Sequence, residues 1–114
     1  MFVQLQCYKT KDMFSMLRKW FGNTTDYKSL VDTGAIVLDV RSGEEFRSGH
    51  IPGSINIPLG QVKENIPILK KKNKPVITVC HSGVKSGIAK SVLAAAGVEV
   101  YNGGPWNALQ QKIR

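Results

Sequence analysis

Short runs of apolar, largely β-branched residues recur between segments with helical spacing, and this alternation constrains the chain more than any other feature. "AIVLDV" (35–40) is nearly unbroken, "PVITVC" (75–80) reads as a second buried strand, and "VEVY" (98–101) as a third strong one. A strand with one wet face would alternate apolar and polar residues, whereas a continuous run suits a strand covered on both faces. The intervening segments read differently. In "DYKSLVDTG", Asp26 is an N-cap and Gly34 a stop for a short helix. "SGEEFRSG" is a brief acidic turn or helix. "HIPGSINIPL" contains two prolines and a glycine, so it reads as a loop with a short strand at 54–57. "LGQVKENIPILKK" predicts a helix interrupted near Pro67, because the proline ring removes a donor and crowds the preceding turn. Beyond Cys80, the residues Val84, Ile88, Val92, Leu93 and Ala96 fall on one face of a helix running to Gly97. Pro105 opens a last helix in "GGPWNALQQKI". Strands alternating with helices predict an α/β domain with a mostly parallel sheet and helices on both faces.

The chain of 114 residues suits one such domain and one modest core. We divide it into an N-terminal extension, residues 1–23, and a single domain, residues 24–114. In the extension, "DMFSMLRKWFG" sets Met13, Met16, Leu17, Trp20 and Phe21 at helical spacing, with Gly22 as a stop. That pattern fits a short amphipathic helix docking on the domain. Arg18 and Lys19 beside the aromatics also fit a basic anchor for a membrane or a partner. Met13 is an alternative start to Met1. No run of about 18 apolar residues suggests a spanning helix, and the first residues lack the apolar stretch of a secretory signal.

Two cysteines, Cys7 and Cys80, in unlike contexts do not make a disulfide framework, which points to a reducing cytoplasm. No Cys/His spacing resembles a metal site, so no metal is expected. Sixteen Lys and Arg against eight Asp and Glu give a formal charge of +8, a field that favours anionic partners. Part of it lies in "KKKNK", Lys70 to Lys74, which reads as a solvated loop before a strand. The nine aromatics form no basic-aromatic repeat, so nucleic acid is not an expected partner.

Cys80 ends one of the buried runs, and "HSGVKS" follows it before a helix begins. In open α/β sheets ligands bind outside the carboxyl ends of the strands. Amides at a helix start lack partners within the helix and, with the helix dipole, favour negative charge. A cysteine placed there can ionise well below its ordinary pKa of about 8.5, and the thiolate is the reactive form. Gly83 and Gly87 relax the loop so that its amides can converge, His81 and Lys85 add positive potential, and Ser82 and Ser86 can donate into it. The competing reading is a structural cysteine in the core, followed by an ordinary turn. The loop does not match a P-loop, which needs glycine before the lysine, where Val84 stands. Nor does it match a Cys-x5-Arg phosphatase loop, because Ser86 stands where the arginine would be. A ring one residue shorter suits an outer sulfur atom better than a tetrahedral phosphate.

Three motifs in order carry a family resemblance. "LDVRSGEEFRSGHIPGSINIPL" (38–59), "VCHSGVKS" (79–86) and "GGPW" (103–106) with its helix resemble the signatures of the rhodanese superfamily, over about residues 26–112. The resemblance implies a single-domain, rhodanese-like three-layer α/β/α fold with a five-stranded, mostly parallel central sheet. It implies a thiosulfate sulfurtransferase in which Cys80 carries a sulfane sulfur as a persulfide. The donor would be thiosulfate or another small anionic sulfur compound, and the acceptor cyanide, a thiol or a protein. His81, Ser82, Gly83, Val84 and Lys85 would form the ring around that sulfur. His81 and Lys85 stand where the family often carries arginine, and lysine lacks the bidentate fork. Arg41 would be a paired cation or would help draw in the anion. Asp39, Glu45, His50 and Ser86 would support the loops. No cofactor and no stable membrane insertion are implied, and the oligomeric state is left open. The alternative is a non-catalytic rhodanese-like module that binds a partner or senses redox state.

Overall fold

The structure is a computed structural model and describes residues 25–114. The extension expected at 1–23, with its helix, lies outside the described residues. Helix α1 (Tyr27–Asp32) begins where Asp26 accepts the Ser29 amide at 3.1 Å, as the N-cap pattern predicts. Strand β1 (Ile36–Asp39) leads to helix α2 (Gly43–Ser48). That short acidic helix is nucleated by a capping box between Ser42 and Glu45. Strand β2 (Ile55–Asn56) is followed by helix α3 (Leu59–Val62), a 3-10 turn (Lys63–Asn65) and helix α4 (Ile66–Lys72). The interruption expected at Pro67 therefore falls just before it. Pro67 occupies the first turn of α4, where its missing N–H has no helical partner to lose. Lys70, Lys71 and Lys72 form the last turn of α4 rather than a loop, an arrangement that complements the helix dipole. Strand β3 (Val76–Cys80), helix α5 (Val84–Ala95), strand β4 (Val100–Pro105) and helix α6 (Trp106–Lys112) complete the domain.

The strands form a parallel sheet in the order β2-β1-β3-β4. The sheet has four strands among the described residues, not the five that the resemblance implied. Only four stretches there carry the composition of a strand, so the fifth had no run of residues behind it. Side chains alternate between two cores. On one face Leu38, Val40, Val76, Cys80 and Val100 pack with Val62, Leu69, Ala89 and Leu93 of the helices. On the other, Val37, Ile77 and Val79 pack with Leu109, Trp106 and the α1 residues Leu30 and Val31. The result is the three-layer α/β/α arrangement. Among the described residues no helix is long and apolar enough to cross a membrane.

Helix α5 buries only the later part of the face its apolar spacing selects: Leu93 is buried and Val92 packs against the core, but Val84 and Ile88 of the first two turns point outward. Val84 is 67% exposed and Ile88 50%, while Ser86, Ala89 and Leu93 are fully buried. The cause lies at the start of the helix. Ser86 is turned inward to Cys80, and Thr78 Oγ1 donates to its carbonyl at 2.8 Å. With Ser86 inward, the residues three and seven further on, Ala89 and Leu93, must face the sheet. The loop sets the helix phase at its start and turns Val84 and Ile88 outward, while the pattern holds at Val92 and Leu93. Urea titration should show this directly. Leu93→Ala is expected to cost about 2–5 kcal/mol, as for other large-to-small core changes. Ile88→Ser should cost within about 0.5 kcal/mol, as surface changes do. Equal losses would contradict the observed phase.

Candidate active site

Cys80 is the last residue of β3, and its side chain is 1% exposed. Its sulfur is not merely enclosed by aliphatic groups. The Gly83 amide donates to Sγ at 2.9 Å and the Ser86 amide at 3.3 Å, while Sγ itself donates to Ser86 Oγ at 3.3 Å. Ser86 is the third residue of α5, so its N–H is one of those the helix leaves unpaired. Burial pushes the Cys80 thiol up and is the largest single influence. The Ser86 hydroxyl and amide, then the Gly83 and Ser82 amides, together outweigh it, and the thiol lies below its ordinary value.

Two backbone features shape this cradle. Gly83 has φ +97°, a left-handed conformation that turns the chain sharply from strand to helix, and a Cβ there would also lie 3.4 Å from Gly104 Cα. On β4 the register with β3 slips between Thr78 and Val79, so that Thr78 pairs with Asn102 and Val79 with Gly104. Gly103 is the extra residue of this bulge, and it lies so close to β3 that a Cβ would fall 2.8 Å from Ile77 Cγ2. The bulge thus follows directly on Asn102, whose side chain reaches the loop: its Nδ2 donates to the Gly83 carbonyl at 3.2 Å, and its Oδ1 accepts from Ser86 Oγ at 2.7 Å. Asn102 was not among the residues expected from the sequence. A polar residue interrupting a strand-like run just before two glycines was the available signal, and it also reads as an ordinary turn.

The other expected residues divide into two groups. His81, Ser82 and Lys85 lie around the mouth of the loop, and Val84, which is exposed, donates its amide to Ser82 Oγ at 3.5 Å. Asp39, Arg41, Glu45 and His50 lie on β1, α2 and the turns beside them. Arg41 is 5% exposed and is the paired cation rather than a free anion ligand. Its Nη2 donates to Asp39 Oδ2 at 2.7 Å and to the Gly49 carbonyl at 2.6 Å, and its guanidinium lies 4.7 Å from the Trp106 ring centroid. Asn56, also unanticipated, donates to the carbonyls of Asp39 and Arg41. Glu45 serves the capping box. The Ser42 amide and then its hydroxyl hold the Glu45 carboxyl below the usual range, with smaller help from the charges of Lys85 and Arg41. His50 stacks on Phe46, with ring centroids 3.8 Å apart, and its Nδ1 sits 2.7 Å from the Phe46 carbonyl.

The domain is thus a parallel α/β sheet with a cysteine at a strand end, its sulfur held by amides of the following loop and helix turn and its thiol pKa lowered by them. Comparison with known proteins gives the family. The rhodanese-like domain matches residues 23–110, and the chain belongs to that family. It is 43% identical over 61 residues to the thiosulfate sulfurtransferase PspE of Escherichia coli, an alignment that covers 53% of this chain and 59% of that protein. Among solved structures, an E. coli rhodanese with anions is 38% identical, with a TM-score of 0.60, over 66% of this chain and 91% of its own. The human single-domain sulfurtransferase TSTD1 is 26% identical, with a TM-score of 0.62, over 75% of this chain and 90% of its own. The chain spans less than two thirds of the length of the curated relative.

Proposed function

We propose that this protein is a thiosulfate-type sulfurtransferase that carries a sulfane sulfur on Cys80. The observation that carries the reading is the pair of amides, from Gly83 and Ser86, aimed at one buried sulfur. The ionised thiol attacks the outer sulfur of thiosulfate. A new S–S bond forms, the old one breaks, and its electron pair leaves with sulfite. The outer sulfur then bears the negative charge at the mouth of the loop, where preorganised N–H donors stabilise it without reorganisation. A nucleophile such as cyanide or a thiol attacks that sulfur and returns the Cys80 thiolate. Lys85, exposed in the first turn of α5 beside the loop, supplies positive potential that attracts a dianionic donor. Lysine acts there as a point charge without arginine's fork, so thiosulfate is held loosely and another persulfide is a competent donor. Asp39, Arg41 and Glu45 brace the loops and take no part in the bond changes. The activity of the similar PspE supports the same chemistry.

Intact mass spectrometry tests this reading. After incubation with thiosulfate the protein should gain the mass of one sulfur atom, mapped by digestion to Cys80 and not Cys7. Cyanide should remove it and yield thiocyanate. A protein that binds anions at the loop but never gains the sulfur would instead be a non-catalytic module of the same family.

A further inference from the structure

The side chain of Asn102 sits in a network whose donors and acceptors are fully determined. The Gly104 amide can only donate, and it reaches Oδ1 at 2.9 Å. The Gly83 carbonyl can only accept, and it lies 3.2 Å from Nδ2. These two partners fix which end of the amide is which. Oδ1 has no hydrogen, so the 2.7 Å contact with Ser86 Oγ requires the serine to donate. A hydroxyl has one hydrogen. With it directed at Asn102, Ser86 can only accept from Cys80, and the 3.3 Å contact is then S–H to Oγ. Loss of the thiol proton leaves lone pairs facing each other unless the serine hydrogen turns to the sulfur. Asn102 and the thiolate therefore compete for one hydrogen.

We propose that Asn102 is a positioning residue that directs the single hydroxyl hydrogen of Ser86, holding it while Cys80 is a thiol and releasing it to the sulfur once that is ionised or sulfur-laden. Asn102 thus tempers the site: the thiolate's third donor is available only when its charge outcompetes a neutral amide oxygen. The inference rests on the assignment of Cys80 as the reactive group. The placement of Asn102 is specific. Its backbone carbonyl accepts from Tyr27 Oη at 2.9 Å, the Gly103 bulge follows it, and a Cβ at Gly87 would lie 3.2 Å from Nδ2. The titratable and charged groups on the surrounding elements are His81 on the loop, Lys85 in the first turn of α5, Glu45 of α2, which Lys85 influences, and the Asp39–Arg41 pair at the end of β1, while Tyr27 reaches only the Asn102 backbone.

The test is the pH dependence of Cys80 alkylation by iodoacetamide, mapped by mass spectrometry in the full chain. It does not depend on sulfur transfer, so failure of the proposed activity and failure of this inference are separable. Asn102→Leu removes the competing acceptor at similar volume. The midpoint should fall, giving about three- to tenfold more alkylation below it, the weight of one neutral hydrogen bond. The same change in a Ser86→Ala background should do nothing. A brace without control of the hydrogen predicts the opposite sign, since a slack loop holds a thiolate less well. A rise, no change, or a fall that persists without the Ser86 hydroxyl overturns the proposal. Should Asn102→Leu fail to fold, Asn102→Asp serves, because a carboxylate grips the hydrogen harder. The midpoint should then rise more with Ser86 present than in the Ser86→Ala background, and equal rises overturn the proposal.

Discussion

Cys80→Ser is expected to lower thiocyanate production from thiosulfate and cyanide by roughly a thousandfold or more, since it removes the atom on which sulfur is carried. The oxygen is too short and too basic to replace it: a serine hydroxyl beside two amides is no nucleophile without a base, and among the hydrogen bonds at Cys80 none comes from a histidine. The fold should tolerate the change, because serine can still accept from the Gly83 and Ser86 amides. The rate of the unaltered protein should rise with pH and level off once the thiol has ionised. Its midpoint should be lower than that of a free thiol, because the loop's hydrogen bonds outweigh burial. The sign is fixed: an acid whose folded value is depressed loses reactivity as pH falls through that value. Turnover that survives Cys80→Ser, or a profile that still climbs through about pH 9 and beyond, would remove this sulfur from the mechanism.

What the sequence makes legible is what local rules control. The strands at "AIVLDV" and "PVITVC" needed only composition and flanking turns, and they appear as Ile36–Asp39 and Val76–Cys80. The N-cap at Asp26 is a local hydrogen bond and follows from one residue type at one position. The third run, expected at 98–101, both began and ended too early: the strand is Val100–Pro105. "VEVY" continues through Asn102, Gly103 and Gly104 to Pro105, because a bulge lets the glycines press against β3 where no side chain would fit. Glycines in a strand look like a turn unless the neighbouring strand is known. Cys80 and Gly83 were visible because strand-end cysteine and loop glycine both have direct backbone meanings. Asn102 was not, since it lies on another strand and joins the loop only through tertiary structure. The outward turn of Val84 and Ile88 at the start of α5 has the same origin. Val84 and Ile88 obey a helical period, but Ser86 has its own demand at the sulfur, and a buried hydrogen-bonded serine fixes rotation more stringently than two exposed aliphatics.

Arg41→Met should be the most destabilising single change near the site, at about 3–5 kcal/mol in a urea titration, even though methionine fills much of the same space. Asp39 is fully buried at the end of β1. Its Oδ1 accepts from the Arg41 amide and Nε, each at 3.0 Å, and its Oδ2 from Nε at 3.1 Å and Nη2 at 2.7 Å. Removing the guanidinium leaves a buried carboxylate with the backbone amide alone. It also frees the Gly49 carbonyl and strips the cation from the Trp106 face. These contacts tie the end of β1 to α6, and Pro105, the residue before Trp106, lies opposite Cys80 in the sheet. Loss of the pair should therefore slow sulfur transfer as well as weaken the fold. Asp39→Asn combined with Arg41→Met should cost less than the sum of the two single changes, because neither charge is then left alone, with a coupling of about 0.5–3 kcal/mol. Strict additivity would mean that the two side chains act independently, and the geometry of the pair would then have no energetic weight.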